Sequence, residues 1–151
     1  MKKIALHGFG RIGRQFLRIG LGQNLFVPAS ISDIKDEATL GALFAVDTIY
    51  GRWHEPVSGK DGKITIGGRE IIYTNAAKEI PDWTALGVDL VVDCTGRATV
   101  RAGAQAHLDR GAKYVLVSAP SKIRLSPPQS SRHRPQPQAR STSAVPGRTA
   151  L

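Results

Sequence analysis

Three glycines near the N-terminus have the spacing of a phosphate-binding turn. Gly8, Gly10 and Gly13 directly follow the apolar run Ile4-Ala5-Leu6 and form the pattern GxGxxG. In that pattern the first two glycines let the backbone approach a pyrophosphate, and the third lets the following helix lie close to the strand. The free N–H groups at the helix N-terminus also favour an anion. The spacing predicts a dinucleotide-binding turn, although such turns also occur where a strand and a helix only pack closely.

An acidic residue lies where the ribose of a dinucleotide would be recognised. A second apolar run ends at Ile31 and is followed by Ser32 and Asp33, about 20 residues beyond the turn. We expect Asp33 to bind the ribose hydroxyls, and its charge would repel a 2′-phosphate, which favours NAD over NADP. Lys35 nearby leaves some room for either cofactor. Alternatively, Asp33 caps the helix that follows, and the two roles are compatible.

The formal net charge of +9 is unevenly distributed over the 151 residues. Residues 123–151 contain five arginines, no acidic residue and few apolar residues. We therefore predict one folded domain over residues 1–122 and a disordered basic tail rich in Ser, Pro, Arg and Gln over residues 123–151. Because the tail has no aromatic residue on which a base could stack, no specific nucleic-acid partner is expected.

Cys94 is the single cysteine of the chain. It excludes an internal disulfide and a multi-cysteine zinc site, and no metal site is predicted. The sequence has neither a signal-peptide pattern nor an apolar run of about 18 residues, so no membrane partner is expected. These features favour a location in the reducing cytoplasm.

Strand and helix signals alternate along residues 1–122, which is typical of a parallel sheet covered by helices on both faces. The predicted class is α/β, with a doubly wound, mostly parallel sheet of the Rossmann type. Two short alternating runs around Gly67-Gly68 predict an antiparallel hairpin inserted into this pattern. The predicted strands are 3–6, 26–32, 88–93 and 114–117, and the predicted helices are 11–21, 38–44, a short one opening at Pro81, and 97–110.

This arrangement also predicts where a ligand would bind. Ligands of open parallel sheets lie beyond the carboxyl ends of the strands. We therefore expect the segments that follow the strands to converge on one site, namely 8–12, Asp33, 94–96 and 118–120.

Four segments of the chain form a recognisable set, namely HGFGRIGR at 7–14, DTIYGRW at 47–53, DCTG at 93–96 and GAKYVLVSAPSK at 111–122. In their order and at about their spacing they resemble segments of the glyceraldehyde-3-phosphate dehydrogenase family. The resemblance covers nearly all of residues 1–122. It implies an oxidoreductase of glycolysis that oxidises and phosphorylates glyceraldehyde 3-phosphate with NAD as its cofactor.

The resemblance also implies roles for individual residues. His7 departs from the asparagine usual before the glycine turn, and we expect a small effect because the backbone does most of the local work. The implied NAD contacts are Gly8, Gly10, Arg11 and Ile12 along the pyrophosphate, Asp33 at the adenosine ribose, Lys78 near the adenine, and Thr95, Gly96 and Ser118 toward the nicotinamide, with Gly13 added by the spacing of the turn.

The catalytic cysteine and histidine of the family do not appear in the chain. The resemblance stops after Lys122, where the sequence looks like translation in a wrong frame. We therefore expect a truncated NAD-binding half that is inactive alone. The resemblance implies a homo-oligomer for the family, but the sequence does not decide the oligomeric state of this chain. A non-catalytic nucleotide-binding module and an inactive, pseudogene-like product are the alternatives.

No residue is predicted to be catalytic. Cys94 is expected to be a small apolar residue of the sheet, because a nucleophilic thiolate needs a nearby base or positive field. Asp93 is expected to end a strand or cap a helix rather than act as an acid. His107 is expected on a solvated helix face, because Arg101 and Arg110 are its neighbours.

Overall fold

The computed structural model describes residues 1–76 and 79–120. Within these ranges nine strands and three helices follow one another along the chain. They are β1 (Lys3–His7), α1 (Arg11–Gly22), β2 (Val27–Asp33), α2 (Glu37–Ala45), β3 (Val46–Asp47), β4 (Gly51–Arg52), β5 (Val57–Lys60), β6 (Lys63–Ile66), β7 (Arg69–Asn75), β8 (Leu90–Asp93), α3 (Arg101–Asp109) and β9 (Tyr114–Val117).

Seven of these strands form one sheet in the order β5-β6-β7-β2-β1-β8-β9. The pairs from β7 to β9 are parallel, and β5, β6 and β7 form an antiparallel meander at one edge. Parallel neighbours need a crossover, which α1 supplies between β1 and β2 and α3 supplies between β8 and β9. The predicted Rossmann-type sheet with an antiparallel hairpin is confirmed.

The core covers both faces of the central strand β1. Leu6 packs with α1 and α2 on one face, where Leu17 and Phe44 are fully buried. Ala5 lies on the other face against Trp83 and other apolar residues. Alternation along one strand thus places successive side chains in two cores, as a sheet buried on both faces requires.

The register of the parallel strands brings their carboxyl ends into line. His7, the last residue of β1, pairs with Ser32 of β2 and with Asp93 of β8. Asp93 in turn pairs with Val117 at the end of β9. The polar residues that end these strands therefore lie side by side at one edge of the sheet.

The predicted helices differ from those of the structure at several boundaries. The segment from Pro81 forms a turn instead of a short helix, because Gly87, with a φ of 62°, ends it. The Gly87 N–H donates to the Thr84 carbonyl and the Val88 N–H donates to the Trp83 carbonyl, both at 3.0 Å. Helix α3 begins four residues later than predicted. Helix α2 is one residue longer at each end than the predicted 38–44. Asp36 caps it, because its carboxylate accepts the Thr39 N–H at 2.8 Å.

No helix in residues 1–76 and 79–120 combines the length and the apolar character that a membrane span requires.

Candidate functional site

A cavity of about 520 Å³ lies at the carboxyl ends of β1, β2 and β8. Its volume is in the range of small-molecule sites, and its position is the one at which open parallel sheets bind ligands. Four of the predicted site residues line it, together with polar neighbours that the sequence did not single out for this role. The predicted residues are Gly8, Gly10, Asp33 and Thr95, and the polar neighbours include His7, Lys35, Arg97 and His107.

The glycines of the turn serve different purposes. Gly8 has a φ of 88°, and a Cβ placed there would lie 2.8 Å from the Thr95 backbone nitrogen. A Cβ on Gly13 would collide with the Gly8 carbonyl oxygen. Gly10, in contrast, has an ordinary φ of −72° and open space around its Cβ position. The packing of the described residues explains Gly8 and Gly13, whereas Gly10 leaves room at the cavity wall for a ligand.

Asp33 joins the end of β2 to the glycine turn. One carboxylate oxygen accepts the Phe9 N–H at 2.6 Å, and the other accepts the Lys35 N–H at 3.1 Å. A carboxylate has about four lone-pair positions, so acceptor capacity remains at the cavity. The alternative role as helix cap is wrong, since Asp36 occupies that position.

The other predicted site residues do not form the described wall of the cavity. Arg11 and Ile12 lie exposed in the first turn of α1, and Gly96 is exposed on the loop after β8. The backbone N–H of Ser118, just beyond β9, donates to the Asp93 carbonyl at 2.9 Å. Lys78 lies outside the described residues.

His107 is buried rather than solvated, and the sequence-based expectation for it is wrong. Only 1% of the residue is exposed. Its Nδ1 accepts a hydrogen bond from the indole N–H of Trp83 at 3.2 Å, and its Nε2 lies 3.0 Å from a carboxylate oxygen of Asp93. Because an indole nitrogen can only donate, Nδ1 carries the lone pair and Nε2 carries the proton that it donates to Asp93.

A pattern of small residues could have revealed this burial. Gly103, Ala106 and His107 lie at positions i, i+3 and i+4, which fall on one helix face, and all three line the cavity. Arg101 lies on another face of α3, and Arg110 lies beyond the last helical residue, Asp109.

Asp93 ends β8 and is 2% exposed. The carboxylate oxygen that does not face His107 accepts both the N–H of Thr95 at 2.8 Å and its hydroxyl at 2.6 Å. Burial disfavours the charge, but the hydrogen bonds from His107 and Thr95 outweigh burial and hold the pKa of Asp93 below its usual value.

His7 extends this polar cluster on the side of the glycine turn. Its Nδ1 is hydrogen bonded to the Ser32 hydroxyl at 2.7 Å, and its ring lies edge-on to that of His107 with centroids 4.8 Å apart. Burial, followed by the neighbouring His107, lowers the pKa of His7. One potential metal-ligand atom from each of His7, Asp93 and His107 lies within 4.8 Å of the others. However, both ring nitrogens of His107 are already hydrogen bonded, Nδ1 to Trp83 and Nε2 to Asp93.

Cys94 also lines the cavity, and it is half-buried. Burial raises the pKa of its thiol, an effect that a hydrogen bond with Ser118 partly offsets. An activated nucleophile requires the opposite shift, because the thiolate is the reactive form. The surroundings of Cys94 therefore favour a protonated thiol.

Comparison with known proteins places these features in a family. The model of the family described as glyceraldehyde 3-phosphate dehydrogenase, NAD binding domain, matches residues 2–101. The glyceraldehyde-3-phosphate dehydrogenase of Kitasatospora aureofaciens is 44% identical over 124 residues, which cover 80% of this chain and 37% of that protein. Those of Geobacillus stearothermophilus and Clostridium acetobutylicum are each 39% identical, over 80% of this chain and 36% of their own length.

The chain thus spans a little more than a third of the length of these relatives. Strands β1 to β8, the glycine turn and Asp33 at the end of β2 all fall within residues 2–101, which the family model matches. The chain belongs to the glyceraldehyde-3-phosphate dehydrogenase family and carries its NAD-binding domain.

Proposed function

We propose that the cavity at the carboxyl edge of the sheet binds NAD, with the adenosine ribose on Asp33 and the pyrophosphate on the glycine turn. One observation carries this placement. Asp33 and Phe9 are joined by a hydrogen bond of 2.6 Å, so the ribose-binding carboxylate and the phosphate-binding turn form one unit on the cavity wall. The open space at Gly10 lies in the same wall.

The pyrophosphate contacts are proposed to come from Gly8, Gly10, Arg11 and Ile12. The N-terminus of α1 supports this role, because its cap residue Gly10 provides no side-chain hydrogen bond and its first turn has no acidic residue. Its N–H groups and the positive end of the helix dipole are therefore available to an anion. The close approach of Gly13 to Gly8 keeps the turn in the required shape.

The proposed positions of the ribose and the pyrophosphate also determine where the two ends of the cofactor lie. Lys78 is assigned to the adenine side, and Thr95, Gly96 and Ser118 are assigned to the nicotinamide side. Thr95 lines the cavity, and Gly96 and Ser118 follow the ends of neighbouring parallel strands. The charge of Asp33 supports a preference for NAD over NADP.

We further propose that the chain supplies the cofactor-binding part of the phosphorylating oxidation of glyceraldehyde 3-phosphate, and that the binding unit is residues 1–122. The raised pKa of the Cys94 thiol supports a role in holding the cofactor rather than in attacking an aldehyde. The cytoplasm is the proposed location, since it would keep this single cysteine reduced.

Ligand-dependent stability tests the proposal. NAD at about 100 times its dissociation constant is expected to raise the free energy of unfolding by about 2.7 kcal/mol. Urea unfolding curves with and without NAD measure this difference, and NADP at the same concentration serves as the comparison. An unchanged midpoint at millimolar NAD would mean that the cavity is not the NAD site.

A further inference from the structure

We propose that Trp83 and His107 are positioning residues for the loop 94–97 at the wall of the cavity, acting through Asp93. The inference rests on the proposed NAD site. Neither residue belongs to the glycine turn or to the segments expected to contact the cofactor. Their effect is transmitted by hydrogen bonds, through which Trp83 donates to His107 and His107 donates to Asp93.

The direction of each hydrogen bond in this series is fixed. The Trp83 indole can only donate, so Nδ1 of His107 accepts this hydrogen bond and the ring proton that faces Asp93 is on Nε2. That proton faces a carboxylate oxygen at 3.0 Å. The three side chains are almost completely buried, and every polar group in the series is paired. A satisfied buried network of this kind specifies one local geometry.

Asp93 connects this buried hydrogen-bond network to the cavity wall. Its second oxygen accepts the N–H and the hydroxyl of Thr95, and the Thr95 hydroxyl oxygen then accepts the Arg97 N–H at 3.1 Å. Gly96 between them has a φ of 72°. These bonds hold the loop in a non-helical shape, so that α3 begins only at Arg101.

The shape of this loop affects the glycine turn directly. The Cβ position of Gly8 lies 2.8 Å from the Thr95 nitrogen and 2.9 Å from its side chain. The loop and the turn are therefore in close contact along the cavity. A shift of Thr95 would change the space in which the proposed pyrophosphate and nicotinamide side of NAD lie.

The test compares two substitutions of the same residue. His107→Leu removes both hydrogen bonds, whereas His107→Gln offers a carbonyl to Trp83 and an N–H to Asp93. Isothermal titration of the full chain with NAD is expected to give about tenfold weaker binding for H107L, about 1.4 kcal/mol. H107Q is expected to bind within about threefold of the unchanged protein.

Ile66→Ala is the matched control, because Ile66 is fully buried in β6 and does not line the cavity. It is expected to lower stability and leave the dissociation constant for NAD unchanged. Equal NAD affinity of H107L and the unchanged chain, or equally weak binding by H107Q and H107L, would overturn the inference. Failure of the unchanged chain to bind NAD would instead overturn the proposed function on which it rests.

A measurement on the unmutated protein covers the case in which H107L does not fold. Nitrogen-15 NMR of the imidazole is expected to show His107 with a protonated Nε2 and an unprotonated Nδ1 coupled to the Trp83 indole. Trp53→Phe assigns the two indole signals. The Thr95 amide is expected to shift when NAD is added. The opposite tautomer of His107 would contradict the proposal.

Discussion

Asp33 is both the proposed ribose ligand and an acceptor of two backbone hydrogen bonds, so its substitution should affect NAD binding and stability together. Asp33→Asn removes the negative charge. It also removes one of the two carboxylate oxygens that accept the backbone N–H groups of Phe9 and Lys35. We expect NAD binding to weaken by about tenfold or more and stability to fall by about 1–3 kcal/mol. The preference for NAD over NADP should narrow, since the repulsion of a 2′-phosphate is lost. Titration calorimetry with both cofactors measures these changes.

Asp36→Asn is the matched control for this substitution. Asp36 caps α2 through Thr39 and does not line the cavity. Asparagine is also a good cap, so stability should change little. NAD affinity in D33N equal to that in D36N would show that Asp33 does not bind the ribose.

The lowered pKa of His7 predicts how the free energy of unfolding depends on pH. Burial and His107 lower its pKa in the folded chain below the ordinary value of 6.5. Between the two pKa values the unfolded chain binds more protons, so the free energy of unfolding falls as the pH drops below about 6.5. His7→Asn removes this contribution and should flatten the decline. Urea unfolding at pH 8, 7, 6 and 5 checks it, with His54→Asn as a control for an exposed imidazole. A decline in H7N as steep as in the unchanged chain would exclude His7 as its source.

The sequence motifs predict which residues belong to the candidate site, but they do not predict the hydrogen-bond partners of those residues. The distance from the glycine turn predicts Asp33 as the ribose ligand, which stays a prediction, but it does not predict the hydrogen bond that its carboxylate accepts from Phe9. His107 was misplaced because its partners, Asp93 and Trp83, lie 14 and 24 residues away in sequence. Such a pairing depends on strand register and on the packing of a turn, which a single sequence does not contain.

At the scale of the elements, the glycine turn makes a prediction that distinguishes packing from binding. Gly10→Ala meets no neighbouring atom and keeps an allowed φ, so it should cost at most about 1 kcal/mol as a weaker helix cap. Its methyl group would occupy the space proposed for the pyrophosphate, and NAD binding should be lost. Gly13→Ala should instead destabilise the fold, because its Cβ collides with the Gly8 carbonyl.

Urea unfolding and NAD titration of the two variants test this difference. G10A is expected to unfold near the midpoint of the unchanged chain without binding NAD. If G10A bound NAD with unchanged affinity, the pyrophosphate could not lie against Gly10.

Elements with a strong local pattern were predicted closely, and β9 has the predicted bounds Tyr114–Val117. The start of α3 was predicted too early because hydrogen bonds to Asp93 hold Thr95 in a loop. The segment after Pro81 forms only a turn because Gly87, with a φ of 62°, ends it early. Helix periodicity reveals neither the side-chain hydrogen bonds after β8 nor this early end at a glycine.

At the scale of the whole molecule, the proposed binding unit can be tested by shortening the chain. A protein consisting of residues 1–122 is expected to bind NAD with the same dissociation constant as the full chain. The physical reason is that every element contributing to the described cavity lies before residue 120. Calorimetric titration of both proteins at equal ionic strength provides the comparison. A large loss of affinity in the shorter protein would assign residues 123–151 a part in the site.

A crystal structure of the chain with NAD would show where the cofactor binds. We expect the adenosine ribose hydroxyls within hydrogen-bond distance of the Asp33 carboxylate and the pyrophosphate against Gly10 at the N-terminus of α1. The dinucleotide should fill the cavity between β1, β2 and β8. NAD bound elsewhere on the chain, with this cavity empty at saturating concentration, would contradict the account.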